Sequence, residues 1–166
     1  EGYGPGGIAI IVESLTDNRN RTASEVRTAF SKNSGNLGET GSVSFMFDLL
    51  GEIRYPAEIS GKPLEADSVF EAALNAGAQD VASSEDGHEI YCDPGDLHAV
   101  NSELEKSIGM PLSVKLVWKP QNNIEVDEET AGSLLKLLDA LDESDDVQNV
   151  SANFEIADEI LERLTA

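Results

Sequence analysis

Arg19, Arg21, Arg27 and Lys32 gather four of the chain's eleven basic residues into one short stretch, with Asn18 and Asn20 beside them. Guanidinium forks hold phosphate oxygens in pairs. Asparagine amides add hydrogen bonds suited to a nucleic-acid backbone or to base edges. Asn18, Arg19, Asn20, Arg21, Arg27 and Lys32 are therefore the candidate nucleic-acid contact. The same residues also have a purely local reading, and the sequence leaves the two open. In that reading Asp17, Asn18 and Asn20 shape a turn, and Arg21 pairs with Glu25 on a solvated helix face.

Other chemistry is poorly supplied. Gly2, Gly4 and Gly7 match the dinucleotide fingerprint as a string, but that motif follows a strand and opens a helix. Here it precedes a β-branched run and Pro5 interrupts it, so a tight turn is the better reading. His88 and Cys92 share a strand face, yet they lie too far apart to hold one ion without bending, and His98 would have to join them. A structural metal asks for three or four convergent ligands. No serine sits in a nucleophile elbow, and the carboxylates are too numerous to single out an acid–base pair. The run Asp142-Glu143-Ser144-Asp145-Asp146 reads as a solvated acidic face. No catalytic residue, metal ligand or cofactor is expected, and no enzyme activity.

The charge balance narrows the partners. The 166 residues carry a net charge of -21. Phosphate binding needs clustered lysine and arginine to displace counterions, so the chain as a whole is a poor freestanding nucleic-acid binder. The charge is uneven. Residues 1–48 hold 4 basic and 6 acidic groups, residues 49–120 hold 5 and 13, and residues 121–166 hold 2 and 13. The basic stretch thus lies in the least acidic third. No apolar run approaches the roughly 20 residues of a membrane span, and Ile8 to Val12 is only strand-sized. A single cysteine, Cys92, rules out an intrachain disulfide. With no signal-peptide pattern at the start, a reducing cytoplasmic setting is expected. The glycosylation strings at Asn20 and Asn149 then carry no weight.

The elements that must position the basic stretch follow from periodicity. Residues 7–14 form a nearly continuous apolar run, the mark of a strand covered on both faces. Residues 17–21 read as a polar turn. Thr22 and Glu25 fit a capping box, and Ala23, Val26, Ala29 and Phe30 give a helix to about Lys32. Glycines at 35, 38 and 41 break the chain before a strand at 42–48, and a further strand occupies 51–55. Asp67 caps a helix with apolar positions Val69, Phe70, Ala73 and Leu74, stopped by Gly77. Strands at 79–83 and 88–92 flank an Asp86-Gly87 hairpin signal. Asp93-Pro94 opens a helix carrying Leu97, Val100, Leu104 and Ile108, and residues 112–118 return as a strand. Residues 124–126, a helix capped by Asp127, and a strand at 147–154 follow. Ala131, Leu134, Leu135, Leu138 and Leu141 form that helix's core stripe, and 157–164 is a short terminal helix. The expected fold is α+β: two ferredoxin-like split βαβ domains, one inserted into the other. Residues 51–120 are the inserted domain, and 1–50 with 121–166 form the discontinuous one.

Several segments are similar to the YebC/PmpR family of gene-expression regulators. They are Glu1-Gly2-Tyr3-Gly4-Pro5-Gly6-Gly7, Leu15-Thr16-Asp17-Asn18-Arg19-Asn20-Arg21-Thr22, Val26-Arg27, Ala29-Phe30-Ser31-Lys32, Gly35-Asn36-Leu37-Gly38, Ala76-Gly77-Ala78-Gln79-Asp80-Val81 and Asp145-Asp146-Val147-Gln148-Asn149-Val150. The resemblance implies a three-domain protein whose basic, helical N-terminal domain is not in this chain. It also implies a non-enzymatic regulator. Members are commonly described as probable transcriptional regulators, with DNA binding for some. The mitochondrial branch is described as a translational activator for cytochrome c oxidase subunit I, and bacterial members are linked to relief of ribosome stalling. The expected partner is the ribosome or RNA, engaged mostly through the absent domain, with promoter DNA as the alternative.

Overall fold

The apolar run after Gly7 becomes a strand buried from both sides. Ile8, Ala9 and Ile10 have no exposed surface and Ile11 only 6%. The computed structural model describes residues 1–166. Its first elements are β1 (Gly2–Tyr3), β2 (Ala9–Ser14), α1 (Arg19–Lys32), β3 (Asn36–Leu37) and β4 (Phe47–Pro56). A short hairpin of β5 (Glu58–Ile59) and β6 (Lys62–Pro63) leads to α2 (Ala66–Ala76), β7 (Asp80–Ser84), β8 (Gly87–Cys92), α3 (Leu97–Ile108) and β9 (Ser113–Pro120). The chain ends with β10 (Ile124–Val126), α4 (Glu128–Asp142), β11 (Val147–Ala152), β12 (Phe154–Ile156) and α5 (Asp158–Thr165). It divides into two compact units, Glu1–Asp48 with Lys119–Ala166, and Leu49–Trp118. The fold is α+β, with ferredoxin-like split βαβ organisation.

In the Leu49–Trp118 unit the strand order is β7-β8-β4-β9. Chain order strand, helix, strand, strand, helix, strand with that arrangement is the ferredoxin-like topology. Ile53, Tyr55, Ile90 and Cys92 on the strands meet Val69 and Ala73 of α2 and Val100 and Leu104 of α3. Burying each of the larger aliphatic side chains contributes about 1.5–3 kcal/mol. The Tyr55 hydroxyl donates to the Gly109 carbonyl at 2.8 Å, and burial pushes its pKa up to about 12. Gly77 stops α2 in the left-handed region at φ 91°, where a Cβ would be strained. The alternate residues of β4 and β8 carry a polar network. Arg54 bonds Glu52 and Glu89, each at 3.0 Å, and the Tyr91 hydroxyl donates to Glu89 at 2.6 Å.

In the discontinuous unit the order is β11-β2-β1-β3, and β10 pairs with β12 in parallel. Val26 and Phe30 of α1 and Ala131, Leu134, Leu137 and Leu141 of α4 close over Ile8 and Ile10. Asn153 joins the two sheets. Its Oδ1 accepts the Ala9 N–H at 2.8 Å, and its carbonyl accepts the Ile124 N–H at 2.7 Å. Asn153 is only 4% exposed, so this pairing satisfies groups that water cannot reach.

The structure departs from the sequence expectations at several places. The polar segment 17–21 is not a free turn, because α1 begins at Arg19. Asn18 is its cap and accepts the Arg21 N–H at 3.1 Å. Thr22 therefore sits inside the helix, and no capping box with Glu25 forms. Asparagine is as good a cap as threonine, and the earlier cap gives the longer helix. The expected strand at 42–48 is a 3-10 turn, Ser44–Met46, running into β4 at Phe47, while a short strand lies at Asn36–Leu37 among the glycines. Glu65, not Asp67, occupies the cap position of α2, without a side-chain cap bond. Asn153 splits the expected strand at 147–154 into β11 and β12. In α4 the fully buried row includes Leu137, with no exposed surface, whereas Leu135 and Leu138 are half-buried.

Candidate nucleic-acid interface

The cap that starts α1 also decides what its basic residues can do. Thr16 and Asn18 lock the entry: the Asn18 N–H donates to Thr16 Oγ1 at 3.0 Å, and the Asn18 carbonyl accepts the Thr22 hydroxyl at 3.2 Å. Asn18 thus serves the backbone with its amide oxygen. From this start, a period of 3.6 residues distributes the cations. Arg19, Ala23 and Arg27 recur at four-residue spacing and share one face. Arg21 turns to another side, and Lys32 follows it in the last turn, where a cation suits the helix dipole.

The two sides differ in electrostatics. Arg21 is bound by carboxylates, with its Nη2 at 3.0 Å from Asp146 and 3.4 Å from Asp17. The Thr22 hydroxyl reaches the same Asp146 oxygen at 2.8 Å. These bonds, Thr22 first and then Arg21, hold the Asp146 carboxyl below the usual aspartate range. Glu25 accepts the Ser144 hydroxyl at 3.1 Å, not Arg21. Glu25, Glu143, Asp145 and Asp146 line a groove of about 480 Å3 on this side. It is acidic and would repel phosphate.

Arg19 and Arg27 face the other way. Both are exposed, and no carboxylate pairs with either. They border a groove of about 740 Å3 between α1 and the segment 37–40, with Leu15, Thr16 and Ala23 along its near wall and Glu39 and Thr40 beyond. Eight residues of α-helix set the Cα atoms of Arg19 and Arg27 about 12 Å apart along the axis. Leu15 is 75% exposed at the mouth. Asn20 is exposed next to Arg19. The six sequence candidates therefore divide. Arg19, Arg27 and the neighbouring Asn20 lie toward one open side, Asn18 and Arg21 are engaged within the fold, and Lys32 stands apart. Thr16, Leu15 and Thr40 were not singled out in the sequence, because hydroxyls and a lone leucine carry no periodic signal.

The glycine string and the His/Cys group have structural roles. A Cβ on Gly4 would lie 2.8 Å from Ile10 Cδ1, and one on Gly2 would lie 2.7 Å from the Asn36 carbonyl oxygen. Gly2 permits close approach of β1 to β3, and Gly4, just after β1, makes room for the Ile10 side chain. His88 is buried, with Nε2 at 2.8 Å from the Leu64 carbonyl and Nδ1 at 2.7 Å from Ser83 Oγ. Cys92 is buried and burial pushes its thiol up, away from reactivity.

Fold and surface together define a class: a paired ferredoxin-like α+β protein with exposed arginines on one edge of α1 in a chain of net charge -21. Residues 1–154 match the family model described as the TACO1/YebC second and third domain. The crystal structure of a conserved hypothetical protein from Aquifex aeolicus is similar at 46% identity and a TM-score of 0.88, over 96% of this chain and 65% of that one. The chain belongs to the TACO1/YebC family. No helix is long and apolar enough to cross a membrane.

Proposed function

We propose that this chain is the body of a non-enzymatic regulator of gene expression that acts in translation, in the cytoplasm, by contacting RNA at the ribosome. Membership of a transcription and translation regulator family supports the regulator role. The observation that carries the RNA contact is the pair of unpaired, exposed guanidiniums, Arg19 and Arg27, beside an open groove. The net charge of -21 keeps the rest of the surface away from phosphate. The chain spans 65% of the Aquifex structure, and this reading assigns the larger share of RNA binding to the part of such relatives that lies beyond it.

Co-sedimentation with purified ribosomes at low salt tests the reading. Wild-type chain is expected to associate weakly and in a salt-dependent way, and the Arg19→Glu/Arg27→Glu variant not to associate. Equal association of the two would remove Arg19 and Arg27 from the interface. A preference for promoter duplex over ribosomal RNA in the same buffer would replace translation with transcription.

A further inference from the structure

Met110, Leu112, Val114 and Leu116 are 74%, 69%, 40% and 47% exposed. Val114 and Leu116 alternate along β9 and share one side of it, and Met110 and Leu112 lie just before the strand. β9 ends the strand order β7-β8-β4-β9 and so has a strand neighbour on one edge only. The Leu112 N–H donates to the Arg54 carbonyl of β4 at 2.7 Å. In a regular antiparallel ladder continued from this bond, the peptide groups of Ser113, Lys115 and Val117 face away from β4. An edge with unpaired peptide groups beside a row of exposed aliphatic side chains is what accepts an added strand.

Charge selects the partner. From Leu112 to Trp118 the chain holds one lysine, Lys115, and no acidic residue, within a protein of net charge -21; Lys106 upstream is paired with Glu103 at 3.0 Å. Lys115 stands exposed between Val114 and Leu116. We propose that the β9 edge binds an extended segment of a partner protein as an added strand, one that alternates aliphatic residues with carboxylates. Backbone hydrogen bonds would hold it, aliphatic side chains would cover the Leu112–Leu116 row, and a carboxylate would meet Lys115. Nucleic acid suits this edge less, because single strands are held by stacking on aromatic rings and the row is aliphatic. A second copy pairing through its own β9 would bring no carboxylate to Lys115, since Leu112–Trp118 holds none.

The test uses the whole chain and a synthetic peptide, Glu-Val-Glu-Leu-Glu-Val-Glu-Leu, with a control carrying Lys in place of each Glu. Amide hydrogen exchange is read at Ser113, Lys115 and Val117 with about 1 mM peptide, the range of weak recognition. The acidic peptide is expected to slow these amides about ten-fold or more, and the lysine peptide to leave them unchanged. Lys115→Glu alters only an exposed charge and is expected to exchange the two preferences. Leu116→Glu is expected to abolish protection with an unchanged thermal melt. Exchange that the acidic peptide does not slow, or that both peptides slow equally, overturns the proposal. So does protection that grows with protein concentration alone, which assigns the edge to a second copy, or protection by an oligouridylate, which assigns it to RNA. None of these readings depends on Arg19 or Arg27, so this proposal and the RNA contact stand or fall separately.

Discussion

Arg21 and Asp146 stand 125 residues apart in the chain and 3.0 Å apart in the fold. With Thr22 on the same carboxylate at 2.8 Å, they pin the first turn of α1 to the entry of β11. This contact offsets the Arg21 charge with a carboxylate, although the side chain stays 47% exposed.

The pin is acid-labile. The folded Asp146 carboxyl titrates below its ordinary value, about 3.9 in an unstructured chain. Its contribution is fully present above that ordinary value and is lost as pH falls through the lowered folded one. Asp146→Asn is expected to lower the urea midpoint at pH 7 and to flatten part of the acid limb. Matching urea midpoints at pH 7 and pH 3 for wild type and variant check it. An unchanged acid limb would show that the contact adds nothing.

The cationic edge has a quantitative signature. If Arg19 and Arg27 each neutralise one phosphate of a single strand, their removal reduces the log–log salt slope of binding by about 1.4. Fluorescence anisotropy on labelled ribosomal RNA fragments, from low to physiological salt, measures it. Arg21→Gln is expected to change the slope far less, because Asp146 and Asp17 already compensate that charge.

Leu137 is fully buried among α4, Ile8 and Ile10. Leu137→Ala is expected to cost about 2–5 kcal/mol, the range for leucine cavities. Denaturant unfolding reads it directly.

Gly4 presses on the same place. Its Cβ would meet Ile10 Cδ1 at 2.8 Å and Leu137 Cδ2 at 3.3 Å. Gly4→Ala alone is expected to cost about 1–3 kcal/mol through overpacking. Combined with Leu137→Ala it should cost less than the sum, since the cavity admits the methyl group. Strict additivity in the double-mutant cycle would refute the shared site.

Asn153→Ala leaves the buried Ala9 N–H without its acceptor. The expected cost is about 1–3 kcal/mol. Faster exchange of the Ala9 amide would locate the effect.

Elements with a strong period were legible in the sequence. The Val69/Ala73 and Val100/Leu104 faces, the Gly77 stop and the Asp127 cap all follow local rules that the structure obeys. Elements set by distant partners were not. Nothing near Asn153 announces that its side chain will serve Ala9, and nothing in 42–48 signals that Glu1 will accept the Val43 and Ser44 N–H groups at 3.0 Å each. The candidate contact shows the same limit. Composition brought the basic residues to notice, but only helical phase and the position of Asp146 separated Arg19 and Arg27 from Arg21. Asparagine and threonine are near-equal caps, and choosing Thr22 over Asn18 displaced the start of α1.

The bond between Ala9 and Asn153 spans 144 residues, and this sets a timetable for biosynthesis. At about 5–20 residues per second, an apolar strand made early waits roughly 7–29 s for the residue that completes its pairing. The Leu49–Trp118 unit, whose strands are all contained between those two points, can fold while the wait continues. Until then Ile8 to Ile11 lack the α4 side chains that bury them and the β11 strand that pairs with β2.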